Sequence, residues 1–206
     1  MHLEAITSET KKILERLKVF PEFYLAGGTG LALQIGHRIS VDFDLFSEKP
    51  LASNLLSKIE KEFEGFNIEI IENQPRQLNV IINDVNLSFI EYPFLIKYIK
   101  DKDLEINIAP ITEIAAMKAY AIGRRTTLKD YIDLYFIIKD RLISLKKLIE
   151  LCEKKYGGEF NARLLLGQLV YSRDIEAIEI AFLKDTVTKE TIESFFEKKI
   201  SNILEK

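Results

Sequence analysis

Asp42 and Asp44 stand two residues apart in Val41-Asp42-Phe43-Asp44-Leu45-Phe46, a run that reads as a β-strand. In a strand, residues two apart project from one face, roughly 7 Å from each other. Val41, Phe43 and Leu45 then take the opposite face, which suits a core. Two neighbouring carboxylates repel unless a cation lies between them, and hard oxygen donors suit Mg²⁺. A solvated acidic face would give the same pattern, so the pair alone leaves both readings open.

Gly27-Gly28-Thr29 lies between a short strand, Phe23-Tyr24-Leu25-Ala26, and the start of a helix. Free backbone N–H groups and the positive end of a helix attract phosphate at such a turn. The glycines allow close backbone approach, and the Thr29 hydroxyl can cap the helix or touch a phosphate. An ordinary strand-to-helix turn uses the same residues. Taken with Asp42 and Asp44, however, the turn puts an anion site one strand away from a metal site. A nucleoside triphosphate with its Mg²⁺ requires that arrangement.

A third cluster comprises Lys118, Arg125, Lys129, Asp130 and Asp133. Lys118 and Arg125 fall on the apolar stripe of a helix that begins at Ile111, where an unpaired cation is costly. Something anionic must meet them. Asp133, inside the apolar run 131–136, is one partner, and a ligand phosphate is the other. In the ligand reading Lys118 awaits the triphosphate and Arg125 pairs with Asp133. Thr127-x-x-Asp130 fits a capping box, which gives Asp130 a purely local role. His37, just past a helix, reads as a C-terminal dipole partner, and Cys152 as a small core residue. The Tyr and Phe residues are scattered at core spacing and show no stacking platform.

The elements that must position these residues alternate before Pro110 and turn all-helical after it. Helices are predicted over Ser8–Val19, Thr29–Ile35 and Leu51–Phe63, with Gly36 stopping the second. Beyond the aspartate strand, further strands are expected near Asn67–Ile71, Leu78–Ile82 and Leu87–Glu91, the last two joined by a hairpin turn at Asn83-Asp84. Helices follow over Ile111–Arg124, Leu128–Lys139, Leu145–Lys155, Ala162–Tyr171 and Thr188–Leu204. The pattern gives an α+β fold, a mixed sheet with helices on one face and a helical annex.

With 206 residues, 47% apolar and 30% charged, the chain belongs to the ordinary globular class. No apolar stretch reaches the length of a membrane span, and the first residues lack a basic-then-apolar signal pattern. One cysteine excludes an intrachain disulfide and a thiolate metal site, and two histidines are too few for an all-histidine zinc centre. A reduced cytoplasm is the expected location. Residues 1–110 carry 12 Lys/Arg against 17 Asp/Glu, and residues 111–206 carry 17 against 15, so there is no polybasic nucleic-acid coat. A local basic cleft remains open to the second half.

Two stretches carry a resemblance. Tyr24-Leu25-Ala26-Gly27-Gly28-Thr29 is followed by Gly36-His37-Arg38-x-Ser40-Val41-Asp42-Phe43-Asp44-Leu45-Phe46. Together they resemble the AbiEii/AbiGii-type nucleotidyltransferase toxins of the DNA polymerase β-like superfamily. Met117-Lys118-Ala119, Arg125 and 129–134 are similar to that family's second signature, and Tyr92-Pro93 also fits. The resemblance implies a polymerase β-like nucleotidyltransferase core over 1–110 and a C-terminal helical subdomain over 111–206 completing the cleft. It implies an NTP held by Gly27, Gly28, Thr29 and Ser40, with Arg125 and Lys129 as further substrate ligands. Asp42 and Asp44 would hold Mg²⁺, and Lys118 and Asp133 would act with them in catalysis. The activity implied is transfer of a nucleoside monophosphate to an acceptor hydroxyl on RNA, such as a tRNA 3′ end, or on protein. Such enzymes serve as toxins beside a winged-helix antitoxin. Two departures stand out: Gly30 replaces a usual Ala, and Ser88 occupies the cleft-facing position where these enzymes place a third carboxylate. That second departure leaves an alternative, a weakly catalytic nucleotide- or RNA-binding module that retains the cleft.

Overall fold

The computed structural model describes all residues except 123, 126, 172–174, 177, 205 and 206, together with the side chain of 204. The chain divides into two compact units, Met1–Pro110 and Ile111–Lys206.

The first unit is built on a seven-stranded mixed sheet in the order β3-β4-β5-β2-β1-β7-β6. Its strands are β1 (Tyr24–Leu25), β2 (Phe43–Ser47), β3 (Ile68–Gln74), β4 (Gln77–Ile82), β5 (Val85–Glu91), β6 (Ile99–Lys100) and β7 (Asn107–Ile108). β2 pairs in parallel with β5, and β1 in parallel with β7; the other neighbours are antiparallel. Asn83 and Asp84 both adopt positive φ, at 46° and 65°, and close the β4–β5 hairpin as their sequence indicates. Helices α1 (Ser8–Leu14), α2 (Gly27–Ile35) and α3 (Leu55–Glu62) complete the unit.

Period-two alternation sets the sheet's faces. Phe43 and Leu45 of β2, Leu78 and Val80 of β4, and Leu87 and Phe89 of β5 join one core with Ile13 and Leu14 of α1 and Ile59 of α3. Each such side chain, once buried, contributes about 1.5–3 kcal/mol. The residues between them in β2, Asp44 and Phe46, are left on the opposite face, half-exposed.

The second unit is helical: α4 (Ile111–Ile122), α5 (Leu128–Lys139), α6 (Leu145–Tyr156), α7 (Ala162–Leu169) and α8 (Lys189–Leu204). α4 packs on α5, α6 and α7, and α8 packs on α5 and α7. α5 is buried almost along its whole length, from Asp130 to Ile138. Among the described residues, no helix is long and apolar enough to cross a membrane.

Several boundaries differ from the sequence expectation; α2 opens at Gly27, two residues early, and α3 at Leu55, four residues late. The first helix stops at Leu14 and resumes only as a 3₁₀ turn over Leu17–Val19. β2 starts at Phe43 instead of Val41, and Val41 is exposed. α4 ends at Ile122, and the predicted continuation through 123 lies outside the described residues. The two-residue strands β6 and β7 are too short to carry a periodic signal.

Candidate active site

The glycine turn meets Asp44 directly, and the Asp42 backbone joins them through Thr29. α2 opens at Gly27 in the left-handed region, with φ at +61°. A β-carbon on Gly27 would be driven into the Asp44 carboxylate, with Asp44 Cγ only 2.9 Å away. Gly28 is crowded from another side, because a β-carbon there would strike Arg38 Nη2 and lie 3.3 Å from Ser40 Oγ. Gly27 is required by its backbone angle, whereas a side chain at Gly28 would have to displace the end of the Arg38 side chain. The N-cap residue of α2 is Ala26, which has no polar side chain to offer the first turn.

Thr29 plays a part that its sequence position does not suggest. Its hydroxyl neither caps α2 nor stands open, because the residue is buried. Oγ1 donates to the carbonyl of Asp42 and lies 2.8 Å from Ser40 Oγ. Thr29 and Ser40 thus tie the start of α2 to the segment that leads into β2, fixing the glycine turn relative to the carboxylates.

Asp42 Oδ1 accepts a hydrogen bond from Asn86 Nδ2 at 2.9 Å. In the parallel β2–β5 pair, Asp44 is the direct partner of Ser88. Ser88 therefore stands beside Asp44 on the same face, as its parity in the strand indicates, while Leu87 and Phe89 enter the core. Among the described residues, no group of three or more His, Cys, Asp or Glu side chains gathers. Asp42 and Asp44 offer two hard oxygen donor groups, Asp44 against the glycine turn that opens α2. That set fits Mg²⁺, which takes one or two protein carboxylates and completes its sphere with water and substrate phosphate oxygens.

Beside the carboxylates the sheet gathers rings that lie apart in sequence. Phe46, two residues past Asp44 on the same face, stacks on Tyr24 at 6.0 Å, and Tyr24 stacks on Tyr98 at 5.3 Å. Tyr92 meets Phe46 edge-on at 5.6 Å. The sequence shows no aromatic platform because the row is created by strand pairing, Tyr24 being the direct partner of Phe46.

In the second unit, Lys118 is buried and its ammonium lies 2.7 Å from Asp130 Oδ1 and 2.7 Å from Asp133 Oδ2. The anion demanded by a lysine on an apolar helix face is therefore internal, and it is two carboxylates. Arg125 pairs with Asp130, not with Asp133: its Nε lies 3.2 Å from Asp130 Oδ2. Thr127 does not cap α5 with its side chain but donates to the same Asp130 oxygen at 2.7 Å. Asp130 is thus the hub of the cluster. Burial pushes the Lys118 pKa down, yet Asp133 and Asp130 outweigh it and hold the ammonium above its ordinary value. Burial likewise raises the Asp130 carboxyl, and Lys118 and Arg125 reverse that to a net lowering. Lys129 is exposed on α5. Cys152 is a buried core thiol, pushed up to about 12 by desolvation.

Sequence reasoning missed Arg38 and Asn86. Arg38 is only 2% exposed. Nothing local marks an arginine three residues past a helix as buried; only the Gly28 contact reveals it. Asn86 was within reach, since it shares parity with Ser88.

A curated protein of Aquifex aeolicus, aq_aa25, itself uncharacterized, is 34% identical over 210 residues, covering 98% of this chain and 100% of that protein. The fold is shared with MenT4, a nucleotidyltransferase toxin from Mycobacterium tuberculosis, at a TM-score of 0.61 and 15% identity over 93% of this chain and 82% of that one. JHP933 from Helicobacter pylori superposes with a TM-score of 0.51 and 17% identity, over 98% of this chain and all of that one. The family model for the nucleotidyl transferase AbiEii toxin of type IV toxin–antitoxin systems matches residues 12–84 and 63–205. The chain belongs to the AbiEii nucleotidyltransferase toxin family, with a mixed-sheet polymerase β-like nucleotidyltransferase fold.

Proposed function

We propose that this nucleotidyltransferase moves a nucleoside monophosphate from a Mg²⁺-bound NTP to an acceptor hydroxyl, as the toxin of a toxin–antitoxin pair. The observation that carries the reading is the placement of the Asp44 carboxylate against Gly27, at the first turn of α2. A triphosphate seated on that end of the helix has its negative charge met by backbone N–H groups. Asp42 and Asp44 would hold Mg²⁺, which when bound neutralises phosphate charge and favours in-line displacement. Asn86 fixes one oxygen of Asp42. Thr29 and Ser40 keep the turn and the carboxylates in register. In the transfer, the acceptor oxygen bonds to the α-phosphorus and the bond from that phosphorus to its α,β-bridging oxygen breaks. Pyrophosphate leaves, and the hydroxyl proton passes to solvent, since Ser88 stands where a carboxylate base would.

Lys118 and Asp133 serve this enzyme as a buried ion network that locks α4 to α5. Lys129 and Arg125 are exposed, Arg125 while paired through Nε with Asp130, and both would meet acceptor phosphates. The acceptor is RNA, with a tRNA 3′ end as the first choice, and the partner is a winged-helix antitoxin, by membership of the family. Incubation with each α-labelled NTP and Mg²⁺, with and without total tRNA, tests the reading. Label on tRNA is expected. Label on protein moves the acceptor to a polypeptide, and nucleotide binding without any transfer reduces the chain to a binding module.

A further inference from the structure

We infer that Arg38 is a positioning residue of the nucleotide site. Its guanidinium, buried against Gly28, is the fixed positive charge on which the anion-binding turn is built. The inference rests on the nucleotidyl-transfer reading of that turn.

Arg38 ranks among the largest fully buried side chains, at 2% exposed. Removing a permanent charge from water is costly and persists only where the surroundings compensate it. Nη1 donates to the carbonyl of Ile39 at 3.1 Å. Nη2 lies so close to Gly28 that a β-carbon there would collide with it, and Ser40 Oγ would be 3.3 Å from the same point. The guanidinium, the Ser40 hydroxyl and the first turn of α2 therefore converge.

The placement is unfavourable for the helix itself. A helix N-terminus carries partial positive charge and is stabilised by anions, not cations. A guanidinium packed there adds a second positive field to the first. Both fields act in one direction on an incoming polyanion. Against the adjacent glycine lies the opposite charge, the Asp44 carboxylate. The turn thus presents a cation at Gly28 and an anion at Gly27, one residue apart. Phosphate oxygens are drawn to the Gly28 side, and a divalent cation to the Gly27 side. Arg38 sets that polarity without touching substrate, because its own surface is closed.

Equilibrium binding of a non-transferable α,β-methylene NTP with Mg²⁺ tests the inference, alongside thermal melts of each variant without ligand. Arg38→Met is expected to weaken analogue binding roughly tenfold or more, the scale of one unit charge acting over several ångströms at an effective dielectric of about 20. Arg38→Lys, which keeps the charge, is expected to retain most of the affinity. Equal losses in the two variants, in proportion to their melting temperatures, would make Arg38 a packing residue and overturn the inference.

If Arg38→Met does not fold, Gly28→Ala approaches from the other side, since its methyl must push the guanidinium off the turn. Its affinity is expected to fall and to recover in part in Gly28→Ala/Arg38→Lys, where the smaller head leaves room. Undiminished affinity in Gly28→Ala, or no recovery in the double variant, also overturns it. A wild-type protein that binds no NTP analogue removes the nucleotide reading and the inference with it. Wild-type binding to which Arg38 is indifferent removes the inference alone.

Discussion

Asp44 and Ser88 are direct partners across the parallel β2–β5 pair. A hydroxyl thus stands next to a carboxylate, and in the proposed transfer a further carboxylate at this position would draw the acceptor's proton.

Ser88→Asp supplies that group. It adds a third negative charge to the face that carries Asp42 and Asp44, so the metal-free protein should melt lower and Mg²⁺ should restore part of the loss. If proton removal limits transfer, the rate should rise, up to the roughly 10²–10⁴-fold of a well-placed general base. Single-turnover rates with saturating NTP decide it, and an unchanged rate assigns the slow step elsewhere.

Asp42→Asn separates metal binding from folding. The carbonyl oxygen of an asparagine can still accept from Asn86 Nδ2, so the melt without ligand should match wild type. Transfer should be lost, along with the stabilisation that Mg²⁺ plus NTP gives the wild type. Equal ligand-induced shifts in both proteins would take Asp42 off the metal.

Gly27→Ala should fail twice. A non-glycine residue at φ +61° costs roughly 1–2 kcal/mol, and the new methyl also displaces the Asp44 carboxylate. Chemical denaturation should show that modest loss, while transfer falls far more steeply than stability. Parallel losses would mean that the turn is scaffold only.

Lys118→Met strands Asp130 and Asp133 without their shared cation, and should cost roughly 3–5 kcal/mol. The pH dependence of the wild type carries a sign for each partner. Lys118, raised in the folded state, contributes stability fully below its unfolded value near 10.5 and loses it as the pH climbs through the higher folded value. Asp130, lowered in the folded state, contributes above its unfolded value of about 3.8 and loses that contribution as the pH falls through the lower folded value. Denaturant melts between those limits should therefore show the full Lys118→Met deficit, and the deficit should shrink outside them. A variant as stable as wild type at neutral pH, with weakened NTP binding, would return Lys118 to the nucleotide.

Much of this architecture was legible where periodicity is strong. The central strands, the Asn83-Asp84 turn and the run of helices after Pro110 follow from alternation and from apolar stripes, and α5 keeps its predicted ends, Leu128 and Lys139. The closeness of the glycine turn to Asp44 was an inference from order along the chain, and the fold supplies the contact itself. Less accessible were properties that only three-dimensional neighbours confer. Nothing in the sequence marks Arg38 as buried until Gly28 is placed against it. Arg125 has two aspartates within reach in sequence, and helix geometry gives it the nearer one. Tyr24, Phe46 and Tyr98 are remote from one another until β1 pairs with β2.

β3 forms one border of the sheet and leaves Ile70 and Ile71 exposed, at 47% and 53%. Such a border offers spare backbone donors and acceptors to any chain that drifts alongside, and apolar side chains make the offer stickier. The register breaks between Ile70 and Glu72, so the row of hydrogen-bonding groups loses its regular beat midway along. Glu69 and Glu72, flanking the isoleucines, would bring like charges together if two copies met at this border. The fold thus carries its own brake on ribbon-like aggregation, placed on a long edge strand that exposes two isoleucines.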